Sequence, residues 1–272
     1  MIMVAAGDLD AKHYKKNSIL QYALAQDPLN YFPFTGNENV LDIGCGDGKI
    51  TAEIAKKIPN GFAIGIDKSP GMIHLAKQSF SNVEYPNLDF QIQDAVQLPF
   101  EQSFDLITSF SCLHWVKNQK AVFQQMKQLL NYGGKAIIVT FPRCLTFWDP
   151  IEAVADHPKW RNYFLQDPRP YEFLDQNAYS QVVQEAGLKM LHIETSSHAA
   201  KFHGKKGFED YVRGWLPFLI ALPKEFHDPF LDEIGNKSLE FIPVSEDGCV
   251  YHPYEKISMI LEQNTFTGYL SF

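Results

Sequence analysis

Residues 109–116, S-F-S-C-L-H-W-V, set a thiol, an imidazole and an indole close together at Cys112, His114 and Trp115. A second stretch, V-L-D-I-G-C-G-D-G at 40–48, sets Gly44, Gly46 and Gly48 among the carboxylates of Asp42 and Asp47 and the thiol of Cys45. The first stretch suits a nucleophile with its base, a metal site or a reader of substrate. Metal is the least supported of these. Cys45, Cys112, Cys144 and Cys249 form no CxxC, and the nine histidines include no HExxH pair.

The second stretch reads as a buried strand turning into a helix. Glycines there let backbone approach a ligand closely, and the helix start offers free N–H groups. A dinucleotide loop is G-x-G-x-x-G and receives a pyrophosphate. Here the third glycine comes one residue early, and Asp42 and Asp47 add negative charge. Such a loop repels a pyrophosphate and tolerates a ligand carrying an ammonium and a sulfonium. Asp67 follows Gly48 by nineteen residues, at the end of the next strand-like run, where a carboxylate accepts both hydrogen bonds of a ribose diol. Asp94 follows the third run, where a carboxylate accepts from an adenine amino group. Acids after three successive strands suit S-adenosylmethionine.

The elements that must position these residues alternate along the chain. Strand-like runs at 39–44, 62–67, 88–93, 104–110 and 135–141 are separated by helical patterns at 49–58, 69–80 and 117–130. Only the third and fourth strands lack a helix between them. Strands joined through helices predict an α/β fold with a mostly parallel sheet. Ser69 is the expected N-cap and Pro70 the first residue of its helix, and Gly133-Gly134 is the expected turn into the strand at 135. A helix is expected over 11–26 and another over 171–187, ending at Gly187. Residues 142–170 are rich in proline and aromatics and show no period. An alternating stretch at 188–202 is expected to pair antiparallel with a last strand at 256–263. Between them, 207–240 reads as two helices broken at Pro217 and Pro223. Phe208, Tyr211, Trp215, Phe218 and Phe226 there suit either pocket lining or helix packing.

With V-L-D-I-G-C-G-D-G, F-A-I-G-I-D, Q-D-A-V-Q-L-P-F, F-D-L-I-T-S-F and L-L-N-Y-G-G-K-A-I-I-V-T in order, the chain resembles the class I S-adenosylmethionine-dependent methyltransferases over roughly 39–141. The resemblance implies a Rossmann-like seven-stranded sheet, mostly parallel with the last strand antiparallel, carrying helical cap insertions. It implies one domain over 1–272. Its parts are an N-terminal helical segment (1–38), the cofactor-binding core (39–141), the rest of the sheet and helices (142–203 and 251–272) and a helical cap (204–250). It implies S-adenosyl-L-methionine as cofactor. Gly44 and Gly46 lie against its amino acid part, Asp67 on the ribose, Asp94 and Ala95 on the adenine, with Met72 packed on the base. Asp42, Cys45, Lys68 and Phe110 complete the cofactor-binding set.

The string C-L-H-W-V and the N-terminal H-Y-K-K-N-S-I-L-Q resemble a narrower group, the carboxyl methyltransferases of juvenile hormone acid, trans-aconitate and malonyl-carrier protein. In the juvenile hormone acid branch a Gln and a Trp hold the substrate carboxylate. By position these are Gln21 and Trp115. Neutral amide and indole donors orient a carboxylate without pairing its charge. The implied substrate is a small or lipid-like carboxylic acid, and a carboxylate with a pKa near ~4 needs no base at neutral pH. A hydroxyl or amine acceptor stays open, with His114 as the base, as does a non-catalytic S-adenosylmethionine-binding protein. The other reading of His114 is packing at a helix start, and that of Trp115 is a core aromatic. Cys112 is expected as a buried small residue, because direct transfer needs no covalent intermediate. Arg143, Arg161, Arg169 and Arg213 are candidates for a second carboxylate of a polyacid.

Composition narrows the remaining classes. The net charge is −8, with no Lys/Arg run, so no nucleic-acid partner is expected. No apolar run approaches a membrane span, and the first residues lack a charged n-region and a full h-region, so neither membrane insertion nor a signal peptide is expected. Separated free thiols suit the cytoplasm. Nothing in the pattern speaks to oligomeric state.

Overall fold

The computed structural model describes residues 27–166 and 169–263. The helix expected over 11–26, with Gln21, lies outside them. Seven strands form one sheet in the order β3-β2-β1-β4-β5-β7-β6. Strands β1 (Asn39–Ile43), β2 (Phe62–Asp67), β3 (Leu88–Ile92), β4 (Phe104–Phe110) and β5 (Leu130–Thr140) run parallel. Strand β7 (Cys249–Glu262) pairs antiparallel with both β5 and β6 (Lys189–His203). This is the Rossmann-like sheet with its reversed last strand. Strand order reverses between β1 and β4, and the crevice outside the carboxyl ends of the strands opens at such a point.

The central strands are apolar on both faces, as helices on both sides require. Leu41 and Ile43 of β1 pack with Ile107 of β4 toward helices α3 (Gln119–Leu129) and α5 (Gln176–Ala186). Val40, Ala63 and Leu106 face α1 (Lys49–Lys57) and α2 (Pro70–Ser79). Local chemistry sets the ends of these helices. Ser69 Oγ accepts the Met72 N–H at the start of α2, with Pro70 following it. Asn118 and Asp175 cap α3 and α5 by accepting the N–H groups of Ala121 and Ala178. A third apolar cluster joins α4 (Leu145–Ala155), α6 (Gly204–Arg213), α7 (Phe218–Ala221) and α8 (His227–Phe241) over Ala200 and Phe202 of β6. Among the described residues, no helix is long and apolar enough to cross a membrane.

The structure departs from the sequence reading at several elements. Helix α5 begins at Gln176 rather than 171. Asp175 caps it, while the Glu172 N–H donates to His114 O and Gln119 Nε2 donates to Glu172 O, holding 171–175 as a non-helical segment along the site. Gly133-Gly134 is not a turn into a strand but lies within β5, where the register to β4 shifts between Phe104 and Leu106. Residues 142–170 hold a full helix, α4, with Pro150 inside it. Residues 204–241 form three helices rather than two, with Pro217 before α7 and Pro223 before a short 3-10 turn at Lys224–Phe226. Strand β7 starts at Cys249 because Pro253, which pairs opposite Ala199, does not end it.

Candidate active site

The glycine loop between β1 and α1 is held from below. The N–H groups of Gly44 and Cys45 both donate to Ile66 O, at 2.8 and 2.9 Å, which locks the loop to the end of β2. Gly44 has φ +76°, and a Cβ on it would lie 2.3 Å from Cys112 Sγ. Gly48 has φ +80°, and a Cβ there would meet Phe90 at 2.5 Å. Both positions therefore require glycine for conformation and for space.

Asp42 lies beneath this loop rather than facing the cleft. It is 2% exposed, and its oxygens accept from Thr51 Oγ1 at 2.6 Å and Thr108 Oγ1 at 2.8 Å. It ties β1 to α1 and β4. Burial pushes its carboxyl up to about 6 against the pull of those hydroxyls. Cys45 is buried beside it, and burial, with Asp67 and Asp42 nearby, holds its thiol well above the usual range.

Asp67 ends β2 half-buried. It accepts from Ser69 N at 2.8 Å and Gly46 N at 3.1 Å, so the acid and the glycine loop are one hydrogen-bonded unit. Burial raises its carboxyl despite those donors. Asp94 accepts from Lys68 Nζ at 2.8 Å and Val96 N at 3.2 Å. Burial pushes this carboxyl up, but the Lys68 ammonium and the Val96 N–H outweigh it and hold it below the ordinary value. Met72, Ala95 and Phe110 are buried. The donor set fits S-adenosylmethionine. Carboxylates stand at the ends of β2 and β3, the tight backbone loop after β1 lies beside Asp67, and the balance of charge suits a cationic sulfonium better than a pyrophosphate. Gly44, Gly46, Asp67, Asp94, Ala95 and Met72 are the residues that would hold it.

Beyond β4 the chemistry changes. Ser111 has φ +57°, the only non-glycine positive φ among the described residues, and its N–H donates to Val139 O. Cys112 backs onto Gly44 and makes no hydrogen bond to His114. Burial, with Asp67 nearby, pushes its thiol up to about 12, so it stays protonated and a poor nucleophile. His114 is 7% exposed, with its ring 5.0 Å from Trp115 and 5.3 Å from Phe141. Burial pushes its imidazole down to about 3. Trp115 packs against Trp148, Tyr171 and Trp215 at 6.0, 6.1 and 5.9 Å.

His114 and Trp115 face a cavity of about 120 Å³. Its walls come from Ser111 after β4, Phe141 after β5, Phe147 and Trp148 on α4, Phe173, and Tyr254 on β7. Tyr211 and Trp215, on and just after α6, close it. No Lys or Arg lines it, and Glu255 is its only acid. Of the five aromatics singled out in 207–240, Tyr211 and Trp215 reach this cavity, while Phe208 and Phe218 are buried in the helical cluster. Three of the four arginines considered for a second carboxylate are engaged elsewhere, and Arg161 is exposed at the start of the 3-10 turn Arg161–Phe164, outside the pocket lining. Arg143 pairs with Asp149 at 2.6 Å and Glu152 at 2.5 Å, Arg169 with Asp156 at 2.5 Å and Arg213 with Asp228. Sequence reasoning missed Ser111, Phe141, Phe147, Trp148, Phe173 and Tyr254. The available signal was the density of aromatics across the aperiodic stretch after Phe141.

A Rossmann-like sheet with a glycine loop locked to a strand-end carboxylate is the architecture of a nucleoside-binding α/β protein. The methyltransferase-domain family matches residues 34–187, and the chain belongs to that family. It is an S-adenosylmethionine-dependent methyltransferase, with S-adenosylmethionine as its cofactor. It is 28% identical over 229 residues to the putative methyltransferase 235L of Invertebrate iridescent virus 6, covering 84% of each chain. It is 29% identical over 238 residues to the juvenile hormone acid O-methyltransferase of Drosophila melanogaster, covering 82% of this chain and 79% of that one. The fold matches the YcgJ protein of Bacillus subtilis with a TM-score of 0.63 and 16% identity, covering 90% of this chain and 99% of that one.

Proposed function

We propose that this chain methylates the carboxylate of a small or lipid-like acid, giving a methyl ester. The observation that carries this reading is the pocket, which has aromatic walls, no lining cation and an imidazole that burial pushes down to about 3. Bound S-adenosylmethionine supplies a methyl group on a positively charged sulfur. The protein must then hold an acceptor oxygen in line with that methyl and keep water out. A carboxylate is already ionised at neutral pH and arrives as a nucleophile. A phenol or alcohol needs a base with a pKa near the working pH, which His114 in this setting does not provide. The Drosophila relative, whose name specifies an acid acceptor, supports the same choice.

In this proposal Trp115, with Gln21 from the N-terminal segment, orients the carboxylate through neutral donors and leaves its charge available for attack. The apolar remainder of the acid lies among Phe147, Trp148 and Phe173. An engineered apolar cavity of about 150 Å³ takes benzene, so about 120 Å³ encloses the carboxyl end and the first few carbons. With Arg143, Arg169 and Arg213 already paired and Arg161 outside the pocket lining, a monocarboxylate fits better than a polyacid. The helices within 204–250 act as a cap that brings Tyr211 and Trp215 over the acceptor.

The test is product analysis by mass spectrometry with trideuteriomethyl cofactor and matched sets of carboxylic acids, alcohols, phenols and amines. Labelled methyl esters are expected. Labelled ethers or N-methyl products without esters would replace this reading with a hydroxyl or amine acceptor. Tight cofactor binding with no product from any set would leave a binding protein.

A further inference from the structure

Polar side-chain atoms buried without a hydrogen-bond partner are scarce in folded proteins, and each one calls for a cause. Among the described residues, five side-chain atoms are in this state: Ser111 Oγ, His114 Nδ1, Glu209 Oε1, Trp215 Nε1 and His252 Nδ1. Three of the five, on Ser111, His114 and Trp215, belong to residues that line the single aromatic pocket described above. They come from separate elements, the end of β4, the 3-10 turn at Leu113–Trp115 and the segment after α6. Trp215 leans toward the Tyr211 hydroxyl without completing a hydrogen bond to it. Ser111 adds a second sign. A serine held at φ +57° stores backbone strain that glycine would not, and such strain gathers where a side chain must be aimed.

The three atoms share a chemistry. An indole N–H can only donate, a serine hydroxyl donates freely, and a neutral imidazole donates from Nδ1 in one of its tautomers. None carries charge, since burial keeps the His114 ring neutral. Neutral donors carried by residues that line one apolar space suit an acceptor-rich group, and a site built to bond such a group discriminates strongly against an analogue lacking it.

We propose that Ser111, Trp215 and the Nδ1–H tautomer of His114 form a donor set that holds the oxygen atoms of the acceptor's carboxylate. This rests on the carboxyl reading above and extends it to residues outside the C-L-H-W-V string. His114 thereby acts as a hydrogen-bond donor to the substrate rather than as a base, and Trp215 makes the helical cap part of substrate recognition.

The test uses the full chain with hexanoate, decanoate and phenylacetate as acceptors, following ester formation, cofactor-product affinity and melting temperature. Ser111→Gly removes the hydroxyl and relieves the positive φ. It is expected to raise the melting temperature while lowering kcat/KM at least about tenfold, a split that a purely structural role would not give. Trp215→Phe keeps a ring and removes the N–H, with the same expected loss and unchanged affinity for S-adenosylhomocysteine. His114→Asn places an amide near the Nδ1 position and retains more activity than His114→Phe. If the acids are esterified and both Ser111→Gly and Trp215→Phe stay within about twofold of wild type, the donor set is overturned and the carboxyl reading stands. If none of the three acids is esterified, both fall.

Discussion

On the cofactor side of the crevice every acid is engaged. Asp42 accepts two threonine hydroxyls, Asp67 accepts the N–H groups of Gly46 and Ser69, and Asp94 accepts Lys68 and Val96 N. On the acceptor side Ser111, His114 and Trp215 each keep a buried polar atom with no partner, inside walls of aromatic rings. The first arrangement is rigid and complete, as suits a ligand common to many reactions. The second is apolar and unsatisfied, the setting in which we propose that a carboxylate acceptor is held. The variants below test whether the two sides are as separate as this.

The largest effect is expected at Gly44. A methyl group there would lie 2.3 Å from Cys112 Sγ at a φ of +76°, so Gly44→Ala must displace either the loop or the start of the acceptor side. Calorimetry with S-adenosylhomocysteine should show affinity reduced by more than about 100-fold, or a protein that no longer folds by circular dichroism. Near-normal affinity would mean that the two sides are not wedged together at this contact.

The pH dependence of stability should split by side. Asp42 is raised to about 6 from an ordinary carboxyl value. Its contribution is present in full below about pH 4 and lost as pH rises through 6. His114 is lowered to about 3 from an ordinary imidazole value. Its contribution is present above about pH 6.5 and lost as pH falls toward 3. Each amounts to several kcal/mol at most, by about 1.4 kcal/mol per unit. Chemical denaturation between pH 4 and 8 should therefore show Asp42→Asn and His114→Asn changing the slope in opposite directions. His252, lowered to about 4 by burial, keeps the His114 sign and remains in both variants. Slopes that change in the same direction would break the contrast.

Smaller effects separate binding from turnover. Trp115→Phe and Gln21→Ala should each cut turnover about tenfold while leaving S-adenosylhomocysteine affinity within about threefold, since neither is assigned to the cofactor. Cofactor affinity that falls with turnover would join the two sides energetically. Cys112→Ala should change turnover by less than about threefold, because the thiol is held protonated behind Gly44. A loss above 100-fold would restore the Cys–His reading of the C-L-H-W-V string.

The same contrast explains what could be read from the chain. The strands and helices of the parallel core and the Ser69-Pro70 helix start were legible because each rests on local pattern, namely apolar period and capping chemistry, while the reversed last strand was legible through the family resemblance. The acids at the ends of β2 and β3 were legible because spacing along βα units fixes their register. The pocket was not. Helix α4 carries Trp148 and contains Pro150, which reads as a break, and Pro253 hid the first half of β7 together with Tyr254. The extended path of 171–175 comes from Asp175 capping α5 and from hydrogen bonds to His114 O and Gln119, contacts across long sequence separation that no local period records. The positive φ of Ser111 has no signature in its residue type at all.

The central claim is that the acceptor arrives as a carboxylate and needs no base from His114. The most direct measurement is the pH dependence of kcat/KM for ester formation with phenylacetate between pH 5.5 and 9. A flat profile across that range is expected, since the acid is ionised throughout and His114 stays neutral. A rise through an imidazole-like pKa near 6.5, abolished in His114→Asn, would contradict the account and make His114 the base.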